Sequence, residues 1–147
     1  MNLDQDFKEF VEYCIQREVQ FLIIGSYALA AHGHPRFTKD LDVWIRIDPQ
    51  NSQHLLEALS DFDFGSLDLK TEDFLKSDSV VQLGYPPKRI DILTSIDGVS
   101  FDDCYPHRVI TEIDGILIPF IDAENLKKNK RSTGRTQDLA DAEALDE

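Results

Sequence analysis

Phe21-Leu22-Ile23-Ile24-Gly25-Ser26, followed after thirteen residues by Asp40-Leu41-Asp42-Val43, is the stretch on which the fold turns. Four apolar residues in an unbroken run predict a short strand buried on both faces, ending at Gly25. Residues 26–32 are small and alanine-rich, which predicts a helix with Ser26 as its N-cap. Then Leu41, Val43, Ile45 and Ile47 alternate with Asp42, Trp44 and Arg46, the period-two pattern of a strand with one apolar face. Asp40 and Asp42, two residues apart, project from one side of that strand.

Two carboxylates held on one face repel unless positive charge comes between them. A divalent cation such as Mg²⁺ removes that cost and takes oxygen ligands. Asp91, between Ile90 and Ile92 in another predicted strand, has a similar setting. If the two strands are neighbours, three carboxylates converge, an arrangement suited to two metals about 3.5–4 Å apart that clamp the attacking and leaving oxygens of a phosphoryl displacement. Gly25 lets backbone approach a ligand closely, the helix that follows offers free N–H groups to phosphate oxygens, and Ser26 adds a hydroxyl. Singly, each feature has a plainer reading: a helix cap, a solvated strand face, a surface acid. Their order along the chain is what points to a site.

Outward from this stretch, Phe7, Phe10, Val11, Cys14 and Ile15 recur at helical spacing and predict an amphipathic first helix over 4–17. Asp48-Pro49 supplies an N-cap and a first-turn proline for a helix to about Leu59. Residues 60–77 are ambiguous, with a short helix expected near 71–75. Strands over 80–83 and 89–93 flank Gly84-Tyr85-Pro86-Pro87, a turn signal. Strands over 107–113 and 116–120 flank Asp114-Gly115, a two-residue hairpin signal. Asp122 caps a helix to about Lys130, 131–135 reads as a loop, and 136–145 as a last helix. The class expected is α+β, a mixed sheet of about five or six strands with helices packed on it, in one domain over 1–147.

The bulk numbers narrow the function classes. Fifteen basic residues face 28 acidic ones, a net charge of −13. That argues against general polyanion binding, although not against a phosphorylated substrate carried by metal ions. One local patch runs the other way: Lys127, Lys128, Lys130, Arg131 and Arg135, with no acid between Leu126 and Gln137. No stretch approaches a membrane span, the acidic N-terminus does not read as a secretory signal, and Cys14 and Cys104 stand apart as expected of thiols in a reducing compartment. A cytoplasmic protein is the expectation.

The run from Gly25-Ser26 to Asp40-Leu41-Asp42-Val43 resembles the signature of the polymerase-β-like nucleotidyltransferases, with Asp91 as third carboxylate. His32-Gly33, Arg36, Thr38, Asp40 and Asp42 look like a finer group, the bacterial nucleotidyltransferases classed with abortive-infection toxins of toxin–antitoxin pairs. The tail is similar too: Lys130, then Gly134-Arg135, then Asp138 on a helix. The resemblance spans 21–145, through short motifs only. It implies transfer of a nucleoside monophosphate from a nucleoside triphosphate to an acceptor hydroxyl on RNA (tRNA included), a protein or a small molecule, with two Mg²⁺ ions. Asp40 and Asp42 would ligate both metals and Asp91 one, with a share in activating the acceptor. Gly25, Ser26, Arg36, Lys130 and Arg135 would hold the triphosphate, supported by His32, Thr38 and Asp138. The chain departs from the pattern at Gln137, where a basic residue is expected. It also lacks the further helical domain of larger toxins, so a partner chain is expected to complete the acceptor site.

Other readings follow from other features. His32 and His34 flank Gly33, but without further Cys or His they read better as loop support than as zinc ligands. Trp44 shares a face with Asp42, and cover by a neighbouring helix suits it better than stacking on a base. A catalytically silent nucleotide- or partner-binding module of the same fold is the main alternative to an enzyme, and an acidic antitoxin-like partner a weaker third.

Overall fold

The computed structural model describes residues 3–34, 40–62, 68–85 and 88–146. Helix α1 (Gln5–Gln16) leads into strand β1 (Phe21–Ile24), helix α2 (Gly25–Ala31), strand β2 (Asp40–Ile45) and helix α3 (Pro49–Asp61). Strands β3 (Val80–Tyr85) and β4 (Lys88–Leu93) follow, then the short helix α4 (Phe101–Cys104), β5 (Val109–Ile113), β6 (Ile116–Phe120), α5 (Ala123–Thr133) and α6 (Thr136–Leu145). The strands form one six-stranded sheet in the order β3-β4-β2-β1-β6-β5. It is mixed: β2 runs parallel to β4 and β1 parallel to β6, while β1–β2, β3–β4 and β5–β6 are antiparallel. The α+β class expected from the sequence is the class observed.

The alternation in β2 builds the molecule's two environments. Leu41, Val43 and Ile45 are buried together with Ile90 and Ile92 of β4. They join Phe7, Phe10, Val11 and Cys14 of α1 and Leu55, Ala58 and Leu59 of α3 in one hydrophobic core. Each Val, Leu, Ile or Phe among them contributes about 1.5–3 kcal/mol by leaving water. Buried Asn51 at the start of α3 ties this region together. Its Oδ1 accepts from Gln20 N–H at 2.7 Å, and its Nδ2 donates to the carbonyls of Gln20 and Arg46. The other side of β2 presents Asp40 and Asp42, then Trp44, which is buried edge-on to Phe101 of α4 with ring centroids 5.2 Å apart. Helix cover of Trp44 is therefore what the structure provides.

Several boundaries differ from the sequence reading. Ser26 is not an N-cap: α2 begins at Gly25, Ile24 takes the cap position without a side-chain hydrogen bond, and Gly25 makes the turn at φ +69°. Helix α5 continues through Arg131, Ser132 and Thr133 and stops at Gly134, whose φ of +72° is the left-handed conformation that ends helices. The 131–135 loop thus shrinks to Gly134-Arg135. The expected strand from His107 starts at Val109, because Tyr105–His107 form a 3-10 turn. Thr71–Phe74 is likewise a 3-10 turn rather than a full helix. Among the described residues no helix is long and apolar enough to cross a membrane.

Candidate active site

The parallel register of β2 and β4 sets Asp42 beside Asp91 and Asp40 beside Arg89. Residues level on neighbouring strands share a face, and so do residues two apart on one strand. Asp40, Asp42, Asp91 and Arg89 therefore crowd onto one side of the sheet. Antiparallel β1 brings Ile24 level with Asp42, so Gly25 and Ser26 follow at the same end. A Cβ placed on Gly25 would lie 2.3 Å from Asp42 Oδ2, so glycine is needed there both for its positive φ and for the close approach.

Gly25, Ser26, Asp40, Asp42 and Asp91 floor a cleft of about 590 Å³. Its walls bring Lys130 and Thr133 from α5, and Arg135 and Asp138 from the turn into α6. Of the residues singled out from sequence, Gly25, Ser26, Asp40, Asp42, Asp91, Lys130, Arg135 and Asp138 all line this one cleft. His32 does not: its Nε2 donates to the carbonyl of Ile121 at 2.7 Å, pinning the end of α2 to the residue after β6. Arg36 and Thr38 lie outside the described residues.

Charge is unevenly settled along the cleft. Burial, then Asp91, then Asp40 push the Asp42 carboxyl up from 3.8 to about 7, against the smaller opposing pulls of Arg89 and Lys130. On the opposite wall, Lys130 is buried and donates to Asp138 Oδ1 at 3.2 Å and Asp141 Oδ2 at 3.0 Å. Burial works to raise the Asp138 carboxyl, but the Thr133 hydroxyl, Lys130 and Arg135 together hold it below the usual range. Gln137, where the resemblance leads one to expect a base, donates to Asp141 Oδ1 at 2.9 Å and so helps orient the second acid. Elsewhere in the basic run, Lys127 pairs with Glu124 and Asp146, and Arg131 with Asp146.

Sequence reasoning missed two partners of the residues that line the cleft. Asp141 was findable, since positions 138 and 141 fall on one face of a helix. Arg89 had the same kind of signal, two residues before Asp91 on its strand, but its partner Asp40 is 49 positions away and only the register reveals it. Three carboxylates on one face are the oxygen donors a hard divalent cation prefers. As placed, two of them are turned onto Arg89, and among the described residues no three His, Cys, Asp or Glu side chains converge closely enough to hold an ion.

No protein-family model matches the chain, and no curated protein matches it. Its fold is nevertheless one known class, the nucleotidyltransferase fold of mixed sheet and flanking helices. The likeness is seen with the crystal structure of a candidate nucleotidyltransferase from Thermotoga maritima. That structure matches at a TM-score of 0.59 and 15% identity, over 95% of this chain and 88% of the other. At that identity what is shared is the fold.

Proposed function

We propose that the protein is a nucleotidyltransferase that moves a nucleoside monophosphate from a nucleoside triphosphate to an acceptor hydroxyl. The observation that carries this reading is the register pairing of Asp42 with Asp91, with Asp40 on the same face and Gly25 pressed against Asp42. Asp40 and Asp42 would hold two Mg²⁺ ions and Asp91 one of them; bound there, the ions would stabilise the negative charge on the attacking and leaving oxygens. Gly25 leaves room for the triphosphate to lie against the strand end, and Ser26 offers a hydroxyl to it. The acceptor oxygen forms its bond to the α-phosphorus as the bond from that phosphorus to the pyrophosphate oxygen breaks. The hydroxyl proton passes to Asp91, and pyrophosphate leaves. Arg135, at the cleft mouth, supplies a fixed positive charge to the phosphates, while Lys130 shapes the wall through its two aspartates.

Lys127, Lys130, Arg131 and Arg135 are each paired with acids of the same chain, and the net charge is −13. That supports a protein or small-molecule acceptor over RNA. The likeness of the motifs to abortive-infection toxins supports a cytoplasmic role in a toxin–antitoxin or phage-defence pair, with a partner chain contributing to the acceptor side. Incubation with labelled nucleoside triphosphates and cell extract is expected to label an acceptor, and Asp42→Ala to abolish the label; equal labelling by the variant would overturn the assignment. One observation favours a silent, nucleotide-binding version of the fold: Arg89 already neutralises part of the carboxylate set. Nucleotide binding by calorimetry without turnover on any acceptor would establish that version.

A further inference from the structure

Arg89 stands where the carboxylates would otherwise need a cation. Its Nε donates to Asp91 Oδ1 at 2.8 Å, and its Nη2 donates to Asp91 Oδ2 at 3.2 Å and to Asp40 Oδ2 at 3.1 Å. One planar guanidinium thus binds Asp91 with both arms and bridges to the neighbouring strand, a geometry that lysine cannot reproduce. The pairing is not an ordinary surface contact. The Asp91 side chain is only 12% exposed and that of Arg89 27%, so both charges are partly withdrawn from water and their attraction is less screened. Nor is the balance complete. Among the described residues, three carboxylates stand against one guanidinium on this face, since Lys130 is taken up by Asp138 and Asp141. Arg89 thus lets the three acids share a face, and bonds directly to only two of them, Asp40 and Asp91.

We propose that Arg89 is a resident counter-ion of the carboxylate set, which a divalent cation must displace, so that this one side chain sets the cation concentration at which the cleft loads. The inference rests on reading Asp40, Asp42 and Asp91 as a cation site. It makes Arg89 a positioning residue: it holds Asp40 and Asp91 aligned before loading and opposes loading through its own charge. A purely structural pair would leave cation affinity untouched. A phosphate-binding arginine would affect the nucleotide and leave binding of the bare ion unchanged.

The test is calorimetric titration with Mn²⁺ alone, without nucleotide, on the wild type, Arg89→Met and Arg89→Lys, with thermal melts in parallel. Arg89→Met keeps the stem and removes the charge. It is expected to bind Mn²⁺ about tenfold more tightly, equivalent to releasing the chain from one partly buried ion pair. Arg89→Lys, which retains charge but loses the two-armed contact, is expected to gain about threefold. Metal-free Arg89→Met should melt below the wild type and be raised further than the wild type by Mn²⁺. Wild-type binding with unchanged or weaker affinity in both variants would overturn the counter-ion inference alone. Failure of all three proteins to bind Mn²⁺ would overturn the cation-site reading, and this inference with it. If Arg89→Met does not fold, the Arg89→Lys comparison decides by the same criterion.

Discussion

Two clusters of acid and base face each other across one cleft, and they are settled differently. On the sheet, Asp40 and Asp91 share Arg89, and Asp42 is left with its carboxyl raised to about 7. On the helical wall, Asp138 and Asp141 share Lys130, with Thr133, Arg135 and Gln137 adding donors, and the Asp138 carboxyl is held low. Both clusters combine aspartates with a basic side chain, yet among the described residues the sheet cluster has three acids to one base and the helical one two acids to two. The first is a place to receive charge. The second is a clasp that fixes α5 against α6 and so fixes the wall of the cleft.

The contrast can be broken most forcefully at the clasp. Lys130→Met would leave Asp138 and Asp141 without their shared buried cation. It should cost about 3–5 kcal/mol, read as a loss of chemical-denaturation midpoint. A loss near zero would mean that the clasp is as open as the sheet cluster. Gly25→Ala comes next, since the new methyl meets Asp42 in a backbone conformation that disfavours it. About 2–3 kcal/mol of stability should go, and Asp42→Gly in the same chain should recover part of it.

Asp42→Asn should act in the opposite direction. A carboxyl whose folded value is about 7 against an ordinary 3.8 favours folding in its neutral form. That stabilisation is complete below about pH 4 and is lost as pH rises towards 7. The metal-free variant should therefore exceed the wild type by about 1–2 kcal/mol at pH 8, solvent screening at the open cleft holding the gain down, and match it near pH 4. Parallel thermal melts across that range check the sign. A wild type whose stability rises between pH 4 and 7 relative to the variant would show the sheet cluster to be as settled as the clasp.

The sheet cluster was largely legible in the sequence because its cues are local. An apolar run closed by Gly25, and two aspartates in phase at positions 40 and 42, need only strand periodicity to be read. Asp91 could be placed on a strand, but its position beside Asp42 depends on which strands pair. Arg89 was lost for that reason. The clasp was legible only in part: Lys130 and Asp138 stood out, while Asp141 and Gln137 acquire a role only when two helices pack. The turn of helix α4 over Trp44 left no signal, since four residues show no periodicity. The extent of α5 was misjudged despite a clear sign, Gly134, whose left-handed backbone marks a helix end better than the basic residues before it mark a loop.

Trp44 is the single tryptophan of the chain. It sits two residues beyond Asp42 on the same side of β2, sealed under Phe101, with an indole N–H that meets no acceptor among the described residues. Its emission should be blue-shifted and resistant to external quenchers while β2 stays in place. The protein thus carries its own fluorescent gauge wired to the strand that bears Asp40 and Asp42, and events on the cleft floor can be followed optically without attaching a label.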